Sequence, residues 1–149
     1  MAHPITEMFI KQPILKMLNE PCFAEIFTPA KDNNPREYQL EALGKKFRAD
    51  FAYKISGKGW LFIEDDSEKT CLSNLLKYSA WLEENPTRES VYIVHIVSPE
   101  DSGWIRLCEH YSKKITGFIY IMIKTNDWAD SLWLKELQIN LNRIKKMAN

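Results

Sequence analysis

The sequence has no excess of charge of either sign: twenty lysines and arginines stand against twenty aspartates and glutamates in 149 residues. That balance excludes a chain-wide attraction to nucleic acid, so any such contact needs a local patch. Long apolar runs are missing as well. The longest, Val91 to Val97 and Phe118 to Ile123, fall far below the roughly 20 residues that span a bilayer. The opening Met-Ala-His-Pro-Ile-Thr-Glu lacks the basic and apolar regions of a signal peptide. Cysteine is scarce: Cys22, Cys71 and Cys108 are odd in number and never form a Cys-x-x-Cys pair, which argues against a disulfide framework or a zinc site and for small buried hydrophobes. A soluble, cytoplasmic chain with no membrane contact is the expectation. The sequence also carries no P-loop, Gly-x-Gly-x-x-Gly, His-Glu-x-x-His or Gly-x-Ser-x-Gly motif, so several hydrolase and transferase classes lack support.

What remains is enough apolar material, 45% of the chain, for one core, and a single domain over residues 1–149 is expected. Helical spacing places an N-terminal helix over Ile5 to Leu18, broken near Pro13, and Pro21 ends it. Cys22 to Thr28 reads as a strand, 29–35 as a loop, and Pro35 to Gly44 as a short helix inserted between strands. Phe47 to Ile55 alternates, with Phe51, Tyr53 and Ile55 on one side, and Ser56-Gly57-Lys58-Gly59 has the chemistry of a hairpin turn. Trp60 to Ile63 is apolar throughout, as in a strand buried on both faces.

Thr70 is the expected cap of the following helix, with Leu72, Leu75, Leu76, Ser79 and Leu82 inward. Val91 to Val97 is then a central strand. Trp104, Leu107, Cys108 and Tyr111 mark a helix, Phe118 to Lys124 another strand, and Leu132 to Ile144 the body of a final helix. Its basic end, with Arg143, Lys145 and Lys146, suits a helix C-terminus. Strands paired by a hairpin, followed by strands alternating with helices, give a mixed sheet in a three-layer α/β/α arrangement.

The chemistry concentrates where the apolar strand ends in Glu64-Asp65-Asp66. Side chains alternate along a strand, so Glu64 and Asp66 look one way and Asp65 the other. The preceding strand lies about 5 Å away and carries Asp50. A loop with an odd number of residues, or a bulge, places Asp50 on the face of Glu64 and Asp66; a two-residue loop places it opposite Asp65. Clustered carboxylates repel unless a cation sits among them, and Mg²⁺ or Mn²⁺ suits such an oxygen set and phosphodiester chemistry. The ordinary structural reading is that Asp65, Asp66 and Glu68 favour a helix N-terminus, which leaves Glu64 and Asp50 unexplained.

Arg48-Ala49-Asp50 and Phe62-Ile63-Glu64-Asp65-Asp66 together resemble the motif of the PD-(D/E)xK nuclease superfamily. That resemblance implies a restriction-endonuclease-like αβββαβ core with an added C-terminal helix, a metal held by Asp50, Glu64 and Asp66, and DNA or RNA as partner. The family's lysine is absent, because Asp66 stands in its place, and Lys69 and Lys77 are the candidates to replace it. Glu7 matches by position an acid of the family's first helix. His95, inside an apolar strand, reads as a core histidine. Five tryptophans serve packing, base stacking or a dimer face. A metal-dependent nuclease is therefore the leading expectation, and an inactive fold used for binding or for homo-oligomeric assembly is the alternative.

Overall fold

Alternation along the strands and apolar stripes along the helices sort the chain onto two sides of one sheet. In the computed structural model, residues 7–56, 58–98, 103–127 and 129–148 are described, with the side chains of Glu68 and Lys69 excepted. A wide π-helical turn, Glu7–Lys11, leads into α1 (Gln12–Leu18), with proline in its first turn. Then follow α2 (Pro21–Ala24), β1 (Phe27–Pro29), β2 (Arg36–Ala42), β3 (Lys45–Ile55) and β4 (Gly59–Ser67). The second half alternates: α3 (Glu68–Glu84), β5 (Ser90–Ser98), α4 (Trp104–Ser112), β6 (Ile119–Lys124) and α5 (Leu132–Ala148).

The six strands form one mixed sheet in the order β1-β3-β4-β5-β6, with β2 sharing the outer edge of β3. β3 runs antiparallel to β4, while β4, β5 and β6 are parallel. Phe51, Tyr53, Leu61, Ile63, Val94 and Ile96 meet Ile14 of α1 and Trp133, Leu137 and Leu141 of α5 on one face. Ala52, Phe62 and Ile93 meet Tyr78 and Leu82 of α3 on the other, and α4 packs beside α3 through Ile105 and Cys108. This is the three-layer α/β/α architecture expected from the sequence.

Three local expectations are corrected. The segment from Pro35 to Gly44 is a strand and a turn, not a helix: Leu40 and Ala42 are buried while Gln39 and Glu41 are exposed. Leu43 and Gly44 turn the hairpin with φ of 55° and 75°, the positive pair that a tight two-residue connection demands. Proline at a helix start was the misleading signal; alternation and turn geometry outweigh it. Cys22 belongs to the short helix α2 and is exposed, so the strand expected over Cys22 to Thr28 shrinks to β1. In α3 the buried stripe is Cys71, Leu75, Tyr78 and Leu82, leaving Leu76 exposed, and the helix starts at Glu68 after Ser67 rather than at Thr70.

One glycine is dictated by close approach. A Cβ on Gly59 would lie 2.4 Å from the carbonyl oxygen of Ser90, so only glycine lets β4 and β5 start in register there.

Candidate metal centre

The register of the β3–β4 hairpin decides which carboxylates meet. Phe51 faces Ile63 and Lys54 faces Trp60, which is the odd-loop register, and it continues to set Asp50 opposite Glu64. Beyond Phe51 and Ile63 the two strands part, and side chains take over from the ladder. The Asp65 N–H donates to Asp50 Oδ2 at 3.0 Å, and the Asp50 N–H donates to Glu64 Oε2 at 3.4 Å. Asp50 is thereby drawn into the gap between strands, where its carboxylate is reached from both faces of the sheet.

Asp50, Glu64 and Asp66 each present a carboxylate oxygen, and these three atoms lie within 4.8 Å of one another. Two members are also gripped from α3. The Tyr78 hydroxyl donates to Glu64 Oε1 at 2.5 Å, and Asn74 Nδ2 donates to Asp66 Oδ2 at 2.7 Å. From β5, aligned with β4 so that His95 sits beside Glu64, the imidazole Nε2 comes within 3.5 Å of Asp66 Oδ2. That nitrogen is buried and has no hydrogen-bond partner. Its other nitrogen, Nδ1, lies 2.6 Å from the Tyr120 hydroxyl, itself 3.2 Å from Cys108 Sγ. Polar groups of α3 and β5, backed by Tyr120 of β6 and Cys108 of α4, thus line the back of the triad.

On the opposite side stands Lys11, the last residue of the π-helical turn, only 6% exposed. Its ammonium is 3.5 Å from Asp50 Oδ1, 3.8 Å from Asp65 Oδ1 and 3.9 Å from Glu37 Oε1. Glu7, at the head of the same turn, forms an ion pair with Arg36 of β2 and so fastens the turn to the sheet edge.

Acids this crowded do not ionise alike. Burial pushes the Glu64 carboxyl well above the usual range, and the neighbouring Asp50 adds to the rise. Asp65 is raised to about 8 by burial and by sharing a proton with Asp50, and burial also raises Asp66, against the opposing pull of His95. For Asp50, burial acts upward but hydrogen bonds with Asp65 and Glu64, and the charge of Lys11, hold it below its ordinary value. Without a further cation the site keeps protons that solvated carboxylates would have lost.

Of the residues expected at the site, Asp50, Glu64 and Asp66 come together. Lys77 instead lines an apolar groove with Leu72, Leu76 and Trp104, and the Lys69 side chain lies outside the described residues. Glu7 is engaged with Arg36 rather than with the triad. The sequence reading missed Lys11, Tyr78, Asn74 and the reach of His95 to Asp66. Only Tyr78 left a trace, as a polar-tipped aromatic completing the spacing of Cys71, Leu75 and Leu82. A buried acidic triad able to hold a metal ion is therefore present. Comparison with protein-family models, curated proteins and solved structures yields no match, and the chemistry of this site rests on its geometry.

Proposed function

We propose that the chain is a divalent-metal-dependent phosphodiesterase acting on nucleic acid, with Mg²⁺ or Mn²⁺ held by Asp50, Glu64 and Asp66. The observation that carries this reading is the convergence of three ligand oxygens within 4.8 Å at a strand end that is otherwise apolar. The donor set is carboxylate oxygen alone, the chemistry that hard cations take. His95 Nε2, buried without a hydrogen-bond partner, reinforces the case that the pocket is built for more than its own side chains. A divalent ion bound there supplies positive charge to a phosphoryl oxygen and acidifies a water.

The chain's own residues then have distinct tasks. Tyr78 and Asn74 fix the orientation of Glu64 and Asp66, as partners of metal ligands commonly do. Lys11 holds a positive charge beside Asp50, on the side of Asp65 and not on the side of Glu64 and Asp66, where the PD-(D/E)xK resemblance would put its lysine. Next to it, Lys31, Arg36 and Arg48 line a polar trough of about 680 Å³ together with Tyr38 and Glu37. The same lining includes Asp32 and Arg36 is already paired with Glu7, so Lys31 and Arg48 are the cations left to meet a phosphate backbone.

The test is cleavage of mixed single- and double-stranded DNA and RNA during a Mn²⁺ titration. Wild type should cleave, and Asp50→Ala and Glu64→Ala should lose at least about two orders of magnitude in rate. A wild type that neither binds Mn²⁺ nor differs from these variants would sink the proposal.

One observation favours a second reading, a non-catalytic assembly module. Between α3 and the β2–β3 hairpin lies an apolar groove of about 630 Å³, flanked by Leu43, Leu76 and Trp104, which are 80%, 52% and 42% exposed. Size-exclusion mass and a gel shift at two salt concentrations decide it: a stable oligomer indifferent to nucleic acid supports assembly, whereas salt-sensitive retention of nucleic acid supports the first reading.

A further inference from the structure

The acidic cluster is arranged as two cation positions that share Asp50. The first is the triad, reached from the side of α3 and β5. The second is the point where Asp50 Oδ1, Asp65 Oδ1 and Glu37 Oε1 converge, from 3.5 to 3.9 Å, on the ammonium of Lys11. Asp65 belongs to the second position because alternation along β4 turns it away from Glu64 and Asp66. Both positions offer carboxylate oxygens: those of the triad already lie within 4.8 Å of one another, and those of the second are gathered around the ammonium, where hard-cation chemistry takes the same atoms.

We infer that Lys11 is a tethered cation filling the second position, so that the centre takes one metal ion, and that removing its charge and length admits a second ion beside Asp65 and Glu37. The inference rests on the metal-centre reading and specifies its stoichiometry. Two observations carry it independently of the acids themselves. Lys11 is 6% exposed, and a lysine that deeply placed persists only with paired counter-charges. At the other position His95 Nε2 is buried, aimed at Asp66 and without a hydrogen-bond partner, which marks the triad as the position awaiting a ligand. The ion pair between Glu7 and Arg36 holds the turn that delivers Lys11, so the ammonium is a fixed part of the site. A second divalent ion has no place there while the lysine remains, since two cations within about 4 Å repel by several kcal/mol even at intermediate dielectric.

Native mass spectrometry and electron paramagnetic resonance with Mn²⁺ count the ions. Wild type should bind one, with the six-line signal of an isolated ion. Lys11→Ala should bind two, with the signal broadened by spin coupling between neighbouring ions; Lys11→Arg should stay at one; and Lys11→Ala combined with Asp65→Asn should return to one. Two ions in wild type, or one in Lys11→Ala with unchanged affinity, overturns the inference while leaving the metal centre standing. No ion in any form overturns both. If circular dichroism shows that Lys11→Ala does not fold, Lys11→Gln carries the test through affinity: loss of a fixed charge beside Asp50 should tighten the first Mn²⁺ at least about tenfold, and unchanged affinity overturns the inference.

Discussion

Strand β4 has two ends made of opposite materials. Its first half is an aromatic box: Trp60 stacks on Phe62 at 5.4 Å, Trp81 sets its edge against both rings, and Tyr38 lies 5.8 Å from Trp60. Lys54 covers Trp60, its ammonium 4.1 Å from the ring centre. These rings are satisfied by packing against one another. The second half buries Glu64 to 3% exposure and places Asp65 and Asp66 beside it, with protons retained where solvated acids would have none. The rings of one end pack on one another; the other end gathers acids that could hold a cation. The same two strands build both, so the difference lies in side-chain chemistry and not in backbone.

Breaking the aromatic end should have the largest effect. Phe62 is fully buried against Trp60, Tyr78 and Trp81, and Phe62→Ala should cost about 3–5 kcal/mol in chemical denaturation. The loss should be the same with and without Mn²⁺ if the two ends are energetically separate.

Relieving the acidic end should act in the opposite direction. Glu64→Gln keeps an acceptor for Tyr78 and removes a buried acid, so the metal-free protein should gain roughly 1–3 kcal/mol at neutral pH. The sign follows from the raised carboxyls. A folded-state value above the unfolded one contributes stability that is complete below the unfolded value and is lost as pH rises through the folded value. Glu64, Asp65 and Asp66 are all raised, Asp65 to about 8, so the metal-free wild type should weaken from mildly acidic pH up to that point. The advantage of Glu64→Gln should grow over the same rise and vanish in acid, as denaturation at a series of pH values will reveal. An advantage that shrinks as pH rises would contradict this account of the acidic end.

The smallest effect concerns the fastening of the π-helical turn. Glu7 is drawn below its ordinary value by its hydrogen bond with Arg36. Its contribution is present above the unfolded value and lost as pH falls through the folded one. The pair is partly solvated, so Glu7→Gln should cost less than about 1 kcal/mol. Its sharper readout is faster hydrogen exchange over 7–18 with the aromatic end unchanged.

How far the sequence revealed this contrast depends on the range of the forces involved. The strands around Asp50 and Glu64, the hairpin between them and the burial of Leu61 to Ile63 follow from local periodicity, and the structure places them as expected, while Trp60 is only half-buried. The register did not follow, because loops of even and odd length satisfy the same residues 56–59; pairing across the sheet selected the odd one. β2 was misread because proline at a helix start is a local signal and its pairing with β3 is not. Lys11 was invisible for the same reason. On a helical turn beside Pro13 it looks like any solvated lysine, and only the packing of the N-terminal segment over β3 and β4 brings it to Asp50 and Asp65. Asp66, which broke the expected motif, takes its place as the third oxygen of the triad.

The most direct measurement is a crystal structure of the wild type soaked in Mn²⁺, read by anomalous scattering. The account predicts a single peak bounded by Asp50, Glu64 and Asp66, with the Lys11 ammonium still beside Asp65 and Glu37. A triad with no anomalous density at saturating Mn²⁺, its carboxylates unmoved, would contradict it.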